Sequence, residues 1–113
     1  MKLIVAYIQP ERLRHVKQAL FEIECFCVSV SSSLGCGKQR GFRESYRGTE
    51  LEVELLKKIR IEIGVHEESV QPTIQAIMKG ARTGNIGDGK IFVLEMPECV
   101  RIRTGETGME ALS

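Results

Sequence analysis

The sequence has no tryptophan, few aromatic residues and no excess of charge of one sign. Its 113 residues include two tyrosines, four phenylalanines and three prolines, and sixteen lysines and arginines stand against fifteen aspartates and glutamates. The resulting net charge of +1 lacks the basic excess that is typical of nucleic-acid-binding domains. We therefore expect no nucleic-acid partner and no surface that coats acidic membranes.

Long apolar runs are also missing. No segment approaches the ~18 consecutive apolar residues that a helix needs to cross a bilayer. An apolar run from Leu3 to Ile8 follows Lys2, but Pro10 ends it too early for a secretory signal, and no small-residue cleavage site comes after it. We expect a cytoplasmic protein without direct membrane insertion.

The four cysteines do not form a recognisable zinc-binding pattern. Cys25 and Cys27 make a C-x-C pair, whereas Cys36 and Cys99 stand apart, and neither histidine lies close to them in the sequence. Structural zinc sites usually have tighter clusters. The pair lies in an apolar stretch, where free cysteine packs as a small hydrophobic residue. We interpret the cysteines as reduced structural thiols; a thiol metal-binding module stays an alternative, because the pair shares one face of a predicted strand.

The length and composition are those of one small globular domain. A chain of 113 residues buries roughly 60–70% of the surface that its unfolded form exposes. Hydrophobic residues make up 42% and charged residues 27% of the sequence, which is ordinary for a globular domain. We predict a single domain over residues 1–113 with a modest core that oligomerisation would support.

Hydrophobic patterns predict the elements of the first half. The short branched run Leu3–Ile8 indicates a strand. Helical spacing of apolar residues over about 11–23 predicts an amphipathic helix, with Pro10 suited to its first turn. Alternation from Phe26 to Val30 predicts a second strand.

The second half repeats this order. Residues 59–65 alternate as a half-buried strand, residues 70–81 have helical spacing with a C-terminal cap near Gly84, and Ile91–Leu94 indicates a buried strand. A short strand is predicted at Cys99–Arg103, before a polar tail at about 104–113. The order β-α-β-β-α-β predicts an α+β, ferredoxin-like fold with both helices on one face of the sheet.

The connection between the second and third strands is unusually long. It opens with the glycine-rich segment Gly35–Gly41, and the residues up to about Glu54 are largely charged with no clear apolar period. Hairpin loops normally have about 2–5 residues, and much longer loops in compact domains are usually functional or disordered. We therefore predict that the protein acts through this loop.

Two groups of residues suit a polyphosphate. In Gly87-Asp88-Gly89-Lys90, the glycines let backbone N–H groups approach an anion and the lysine adds a positive charge. Arg101 and Arg103 would project from the same face of the predicted last strand, and two neighbouring guanidinium groups favour an anion between them. The segment is not a Walker A motif, because Ile91 follows Lys90.

These motifs together resemble the PII nitrogen-regulatory protein family. Residues 83–93, TGNIGDGKIFV, are similar to the family signature, and residues 101–106, RIRTGE, are similar to its C-terminal motif. Residues 35–41 and 46–48 are similar to the start and middle of the family's long T-loop, which would span about 37–55 here. The resemblance runs from Met1 to about Gly105.

The resemblance implies a homotrimer of ferredoxin-like subunits in which ATP and ADP compete for the clefts between neighbours. Lys38 stands where many relatives have arginine and would reach the phosphates from the adjacent subunit. The nucleotide-binding residues implied are Ser29, Gly35, Gly37, Lys38, Gly87, Asp88, Gly89, Lys90, Arg101 and Arg103.

The resemblance also implies that 2-oxoglutarate binds together with Mg-ATP. Gln39 would supply its amide oxygen to Mg²⁺, a hard cation that prefers oxygen ligands. Lys58 would pair with the effector's carboxylate, and backbone groups around residues 37–41 would hold the rest. The 2-oxoglutarate-binding residues implied are Gln39, Arg40, Gly41 and Lys58.

The implied function is regulatory: ligands shift the population of T-loop conformations, and a protein partner, such as a membrane transporter or an enzyme of nitrogen metabolism, binds the loop. Arg47 is a candidate to enter an ammonium channel. Leu51 replaces the tyrosine that some relatives uridylylate, and Thr49 stands where others phosphorylate serine. The candidate partner-binding residues are Tyr46, Arg47, Gly48, Thr49 and Leu51.

Two further alternatives remain open on the sequence. One is an adenylate-state sensor without a 2-oxoglutarate response that regulates carbon or metal transport. The other is an enzyme of ferredoxin-like fold, but no nucleophile and base lie near each other in the sequence. We therefore expect a regulatory binding protein rather than an enzyme; slow ATP hydrolysis is compatible with that role.

Overall fold

The computed structural model describes residues 1–38 and 53–112, with side chains for 1–36 and 55–112. Four strands and two α-helices alternate along the chain. A 3-10 turn precedes each α-helix, at Pro10–Arg12 and Glu67–Ser69, and another, Gly108–Leu112, lies near the C-terminus. The main elements are β1 (Lys2–Ile8), α1 (Leu13–Glu22), β2 (Ser29–Lys38), β3 (Val53–Val65), α2 (Val70–Ala81) and β4 (Gly89–Glu95).

The strands form one antiparallel sheet in the order β2-β3-β1-β4. The central strand β1 pairs with β3 from Lys2 opposite Val65 to Ile8 opposite Ile59, and its other edge pairs with β4, where Ile8 is opposite Gly89. This topology confirms the predicted ferredoxin-like fold. The end of β1 and the start of β4 therefore lie beside Ile59 in the middle of β3, and β3 continues past them, paired with β2.

The core lies between the sheet and both helices. Alternate residues of β1 and β3, including Ile4, Ala6 and Ile61, are buried in one cluster with Val16 of α1 and Ile77 of α2. Since opposite residues of paired strands point to the same face, the helices cover one face of the sheet, as predicted. Leu13, Ile59 and Ile91 pack at the margins of this cluster.

The turn after α1 corrects one detail of the sequence interpretation. Glu24 has a left-handed φ of 61°, and the amide of Cys25 donates to the Leu20 carbonyl at 2.9 Å. The chain then runs without regular structure until β2 begins at Ser29. Cys25 and Cys27 consequently do not share a strand face, because both precede the strand.

The C-terminal segment corrects another prediction. The described residues contain no strand at Cys99–Arg103; instead, Val100 forms an isolated bridge with Thr107 around a turn at residues 102–104. The amide of Arg101 donates to the Glu106 carbonyl at 2.8 Å, and the amide of Gly105 donates to the Arg101 carbonyl at 2.8 Å. Alternation of Val100, Ile102 and the arginines imitates a strand pattern, but hydrogen bonds within the segment close a tight loop.

The strand β4 is not buried in the single chain. Phe92, Val93 and Leu94 are 47%, 43% and 46% exposed, although the continuous apolar run predicts a buried strand. Phe92 and Leu94 lie opposite Val5 and Leu3 on the face of the sheet that the helices leave open. An apolar strip therefore faces away from the core.

Described strand residues reach into both ends of the range 37–55 that is predicted for the long loop. The strand β2 continues through Lys38, and β3 already begins at Val53, with Lys38 in register opposite Val53. Residues 39–52 lie outside the described residues. In the described part of the chain, no helix is long and apolar enough to span a membrane.

The contact between the two helices depends on a glycine and generates the first prediction. A Cβ atom at Gly80 would lie 2.6 Å from the Cα atom and 2.7 Å from the backbone nitrogen of Val16, and Arg12 Nε donates to the Gly80 carbonyl at 2.9 Å. Alanine gains about 1 kcal/mol over glycine in helix propensity, but here it must push two backbones apart. We expect Gly80→Ala to lower the free energy of unfolding by about 1–3 kcal/mol.

Urea unfolding at one fixed protein concentration measures this change. Gln75→Ala, at an exposed position of the same helix, is the matched control and should change the free energy by no more than about 0.5 kcal/mol. A Gly80→Ala protein as stable as the parent would show that the helices separate without strain.

Candidate functional site

The segment between α2 and β4 is closed by the carboxylate of Asp88. Its Oδ2 accepts hydrogen bonds from the backbone amides of Thr83 at 2.8 Å and Gly84 at 3.0 Å, and its Oδ1 accepts one from Thr83 Oγ1 at 2.5 Å. The same hydroxyl accepts from the Asn85 amide at 3.1 Å. Asp88 is thus the structural staple of the loop 83–88.

These contacts favour the charged form of Asp88. The hydrogen bond from the Thr83 hydroxyl is the largest of the causes that lower the pKa of Asp88 below its ordinary value of 3.8, followed by the bond from the Thr83 amide. The carboxylate therefore stays ionised through the physiological range. Its two oxygens face the donors of Thr83 and Gly84 within the loop.

Two glycines shape the loop where it joins β4. Gly87 and Gly89 have φ values of +104° and +111°, a region that residues with side chains rarely adopt. A Cβ atom at Gly89 would lie 1.8 Å from the carbonyl oxygen of Tyr7. Only glycine fits at that point, because β4 begins in direct contact with the backbone of β1.

A cleft of about 1020 Å³ lies between this loop and the β2–β3 ribbon. It joins residues that are far apart in the sequence, since the loop follows α2 while the ribbon precedes it. The predicted site residues that line it are Gly35, Lys58, Gly87, Asp88, Gly89 and Lys90.

The cleft has a cationic character suited to an anion. Lys57, Lys58 and Lys90 line it, whereas its carboxylates are Glu11 and the Asp88 that the loop already uses. Lys58 Nζ also donates to the Gly87 carbonyl at 3.0 Å. The arrangement therefore combines a glycine-rich backbone turn with ammonium groups, which suits phosphate or carboxylate oxygens.

Other predicted nucleotide-binding residues lie elsewhere in the chain. Ser29 begins β2, where it is paired with Glu62, and at about 3.3 Å per residue it is roughly 20 Å along the strand from Gly35. Arg101 is held within the C-terminal loop: its Nη1 pairs with Glu106 Oε1 at 2.5 Å and its Nη2 donates to the Glu110 carbonyl at 3.0 Å. Neither Ser29 nor the arginines line the cleft.

Arg103 follows Arg101 in the same C-terminal loop. It is exposed in the turn at 102–104, so the two arginines do not form the strand-face pair that the sequence predicts. Two other predicted nucleotide-binding residues, Gly37 and Lys38, are the last two residues of β2. The following predicted site residues lie outside the described residues: Gln39, Arg40, Gly41, Tyr46, Arg47, Gly48, Thr49 and Leu51.

The cysteines are free thiols. Burial raises the pKa of Cys25 above its ordinary value, and neighbouring Cys27 adds to the effect, which favours the thiol form over the metal-binding thiolate. Among the side chains described, those of residues 1–36 and 55–112, no group of three or more cysteine, histidine, aspartate or glutamate residues is placed to hold a metal.

Sequence reasoning missed two residues of the site. Thr83 binds the Asp88 carboxylate through both its amide and its hydroxyl; its position just after the helix, five residues before an aspartate, is a weak sign of such a turn. Tyr7 lines the cleft and presents its carbonyl to Gly89. No sequence pattern indicates this contact, because it depends on the register of β1 with β4.

The hydrogen bonds that the Asp88 carboxylate accepts generate the second prediction. In Asp88→Ala, no side-chain oxygen remains to accept from the amides of Thr83 and Gly84, so these contacts should be lost. We expect their amide resonances to shift and their hydrogen exchange to accelerate, as measured by NMR. Glu98→Gln, an exposed change outside the loop, should leave both amides unchanged.

The same contacts predict a pH dependence. Because the pKa of Asp88 is lowered, its hydrogen bonds are present above the ordinary value and are lost as pH falls through the lower, folded-state pKa. An acid titration followed on the amide shifts of Thr83 and Gly84 should therefore have its midpoint below 3.8. A midpoint at or above that value would contradict the role of the Asp88 carboxylate in holding the loop.

Comparison with known proteins agrees with this geometry. The family model described as "Nitrogen regulatory protein P-II" matches residues 1–106. The chain is 49% identical to Nitrogen regulatory protein P-II 2 of Methanothermobacter thermautotrophicus and 50% identical to Nitrogen regulatory protein GlnK1 of Methanosarcina mazei, in each case over 99% of this chain and 97% of the relative.

A solved structure is similar throughout. The crystal structure of Arabidopsis thaliana PII bound to citrate superposes with a TM-score of 0.80 at 36% identity, covering 99% of this chain and 89% of that one. The sequence match, the fold and the glycine-rich loop together identify the chain as a member of the P-II nitrogen regulatory protein family, which consists of signalling regulators rather than enzymes.

Proposed function

We propose that this chain is a PII-type signalling protein that binds ATP or ADP beside the loop 83–90 and regulates a partner through its T-loop. One observation carries the proposal: a cationic cleft of about 1020 Å³ is closed on one side by a backbone turn with two positive-φ glycines. A nucleotide's phosphates supply the negative charge and the many acceptor oxygens that such a surface favours.

The proposed site is incomplete in one chain. Ser29 and the two arginines lie outside the cleft, so a neighbouring subunit would have to bring them to the phosphates or the base. The exposed apolar strip of Phe92 and Leu94 on the open sheet face provides a surface that assembly would cover. Both features support the homotrimer with nucleotide between subunits that the resemblance implies.

The effector part of the proposal rests on Lys58 and on residues outside the described range. Lys58 lines the cleft, and its ammonium has three donors, of which one reaches Gly87. The similar Arabidopsis protein is bound to citrate, a carboxylic acid, which supports a carboxylate ligand such as 2-oxoglutarate here. Gln39 would hold Mg²⁺ with its amide oxygen, and residues 39–41 would contribute to the oxo-acid site.

The partner is proposed to contact the T-loop, residues about 37–55, through Tyr46, Arg47, Gly48, Thr49 and Leu51. Family membership places the protein among regulators of nitrogen metabolism; a membrane transporter or a metabolic enzyme is the partner class we propose. Leu51 at the loop position removes the tyrosine hydroxyl that uridylylation needs. A cytoplasmic location belongs to the same proposal.

A calorimetric titration with ATP tests nucleotide binding. We expect the parent protein to bind, and Lys90→Met to bind at least about tenfold more weakly, because loss of a charge-assisted hydrogen bond costs about 1.5–3 kcal/mol. Lys79→Met is the matched control, since Lys79 lies on α2 and pairs with Glu22 at 3.3 Å. Equal affinity in Lys90→Met would place the phosphates elsewhere.

A second titration tests the effector. With Mg²⁺ present, 2-oxoglutarate should tighten ATP binding by the parent protein, and Gln39→Ala should abolish this effect while ATP alone still binds. If 2-oxoglutarate changes nothing in the parent, the protein reads adenylate state alone.

A further inference from the structure

The side chain of Lys58 crosses the end of a strand to reach the loop of the proposed nucleotide site. Register places Ile59 and Gly89 on either side of Ile8, the last residue of β1. Lys58 and Gly87 therefore lie just beyond the end of β1. The gap between them is the one that β1 would fill if it continued past Ile8. The ammonium spans this gap and donates to the Gly87 carbonyl at 3.0 Å.

The loop is thus held from two directions. On the helix side, Asp88 accepts hydrogen bonds from Thr83 and Gly84. On the sheet side, β3 holds the Gly87 carbonyl through Lys58. Gly87 has a φ of +104°, a conformation with little steric restriction for glycine, so an external hydrogen bond has a direct effect on which backbone orientation it keeps.

Holding this carbonyl also orients a donor. The Gly87 carbonyl and the Asp88 amide belong to one planar trans peptide, so they point in opposite directions. Directing the carbonyl toward Lys58 therefore fixes the direction of the Asp88 N–H, one of the backbone donors in the glycine-rich turn. An anion that binds the turn meets a donor that is already oriented, which lowers the ordering cost of binding.

We propose that Lys58 is a positioning residue of the nucleotide loop, in addition to any contact that it makes with an effector. This inference rests on the proposed nucleotide site, and it assigns Lys58 a role when no effector is bound. Because one ammonium has three donors, the group can hold Gly87 and an anionic ligand together.

Hydrogen exchange of the nucleotide-free protein tests the positioning role by itself. In Lys58→Met, peptides covering residues 84–90 should exchange faster than in the parent, while peptides from the centre of β1 should not change. Lys58→Arg, which keeps a cationic donor, should restore part of the protection. Lys57→Met removes the same charge from the neighbouring position of β3 and should exchange as the parent does.

Titration with ATP, without Mg²⁺ or 2-oxoglutarate, tests the consequence for binding. We expect Lys58→Met to lower affinity roughly three- to tenfold, the range for one modest hydrogen bond. Lys57→Met measures how much affinity is lost when one positive charge is removed from the cleft without loss of the Gly87 hydrogen bond. Its affinity for ATP should fall less than that of Lys58→Met. Lys58→Arg should lie between the parent and Lys58→Met.

The two experiments separate failure of this inference from failure of the proposed function. Unchanged exchange at residues 84–90 in Lys58→Met would overturn the positioning role, and so would equal losses of affinity in Lys58→Met and Lys57→Met. If the parent protein binds no ATP or ADP, the proposed function fails, and the exchange result alone then decides whether Lys58 holds the loop.

Discussion

The contact between Gly89 and the backbone of Tyr7 determines where the proposed site can be. A side chain at residue 89 would collide with the Tyr7 carbonyl. The first residue of β4 must therefore be glycine. This close approach brings the turn after α2 over the end of β1. From that position, the turn faces the ribbon of β2 and β3, and the cleft between them follows directly from the strand order β2-β3-β1-β4.

The carboxylate of Asp88 has a structural task that the motif alone does not show. In the sequence it stands between two glycines and next to a lysine, which places it among residues expected to bind phosphate. In the structure its carboxylate accepts three hydrogen bonds from Thr83 and Gly84. A carboxylate near a polyphosphate would oppose binding by charge repulsion unless other groups neutralised it; turned toward the loop's own donors, it instead orders the backbone that an anion would meet.

The order of the elements could be predicted because each has a clear hydrophobic period, as in the alternation of residues 59–65. The glycine turn could also be recognised, since only certain backbone conformations require glycine. Arg101 and Arg103 show where this reasoning ends: alternation predicts a strand, but Glu106 and the Glu110 carbonyl hold Arg101 in a loop. Such contacts depend on chain reversal, which local periodicity does not encode. The exposure of β4 in the single chain likewise does not follow from its continuous apolar run.

The division of the proposed site within one chain has a thermodynamic consequence. The loop 83–90 and Lys58 meet in one cleft, whereas Ser29 and the arginines are held elsewhere by the sheet and the C-terminal loop. If neighbouring subunits complete each site, nucleotide binding and assembly must favour each other, because a ligand that contacts both partners stabilises their association. The glutamate partner of Arg101 then acts as an internal competitor for its guanidinium group. Phosphate oxygens that reached Arg101 would share its guanidinium group with Glu106, so the C-terminal loop would then contribute to the affinity of the proposed site.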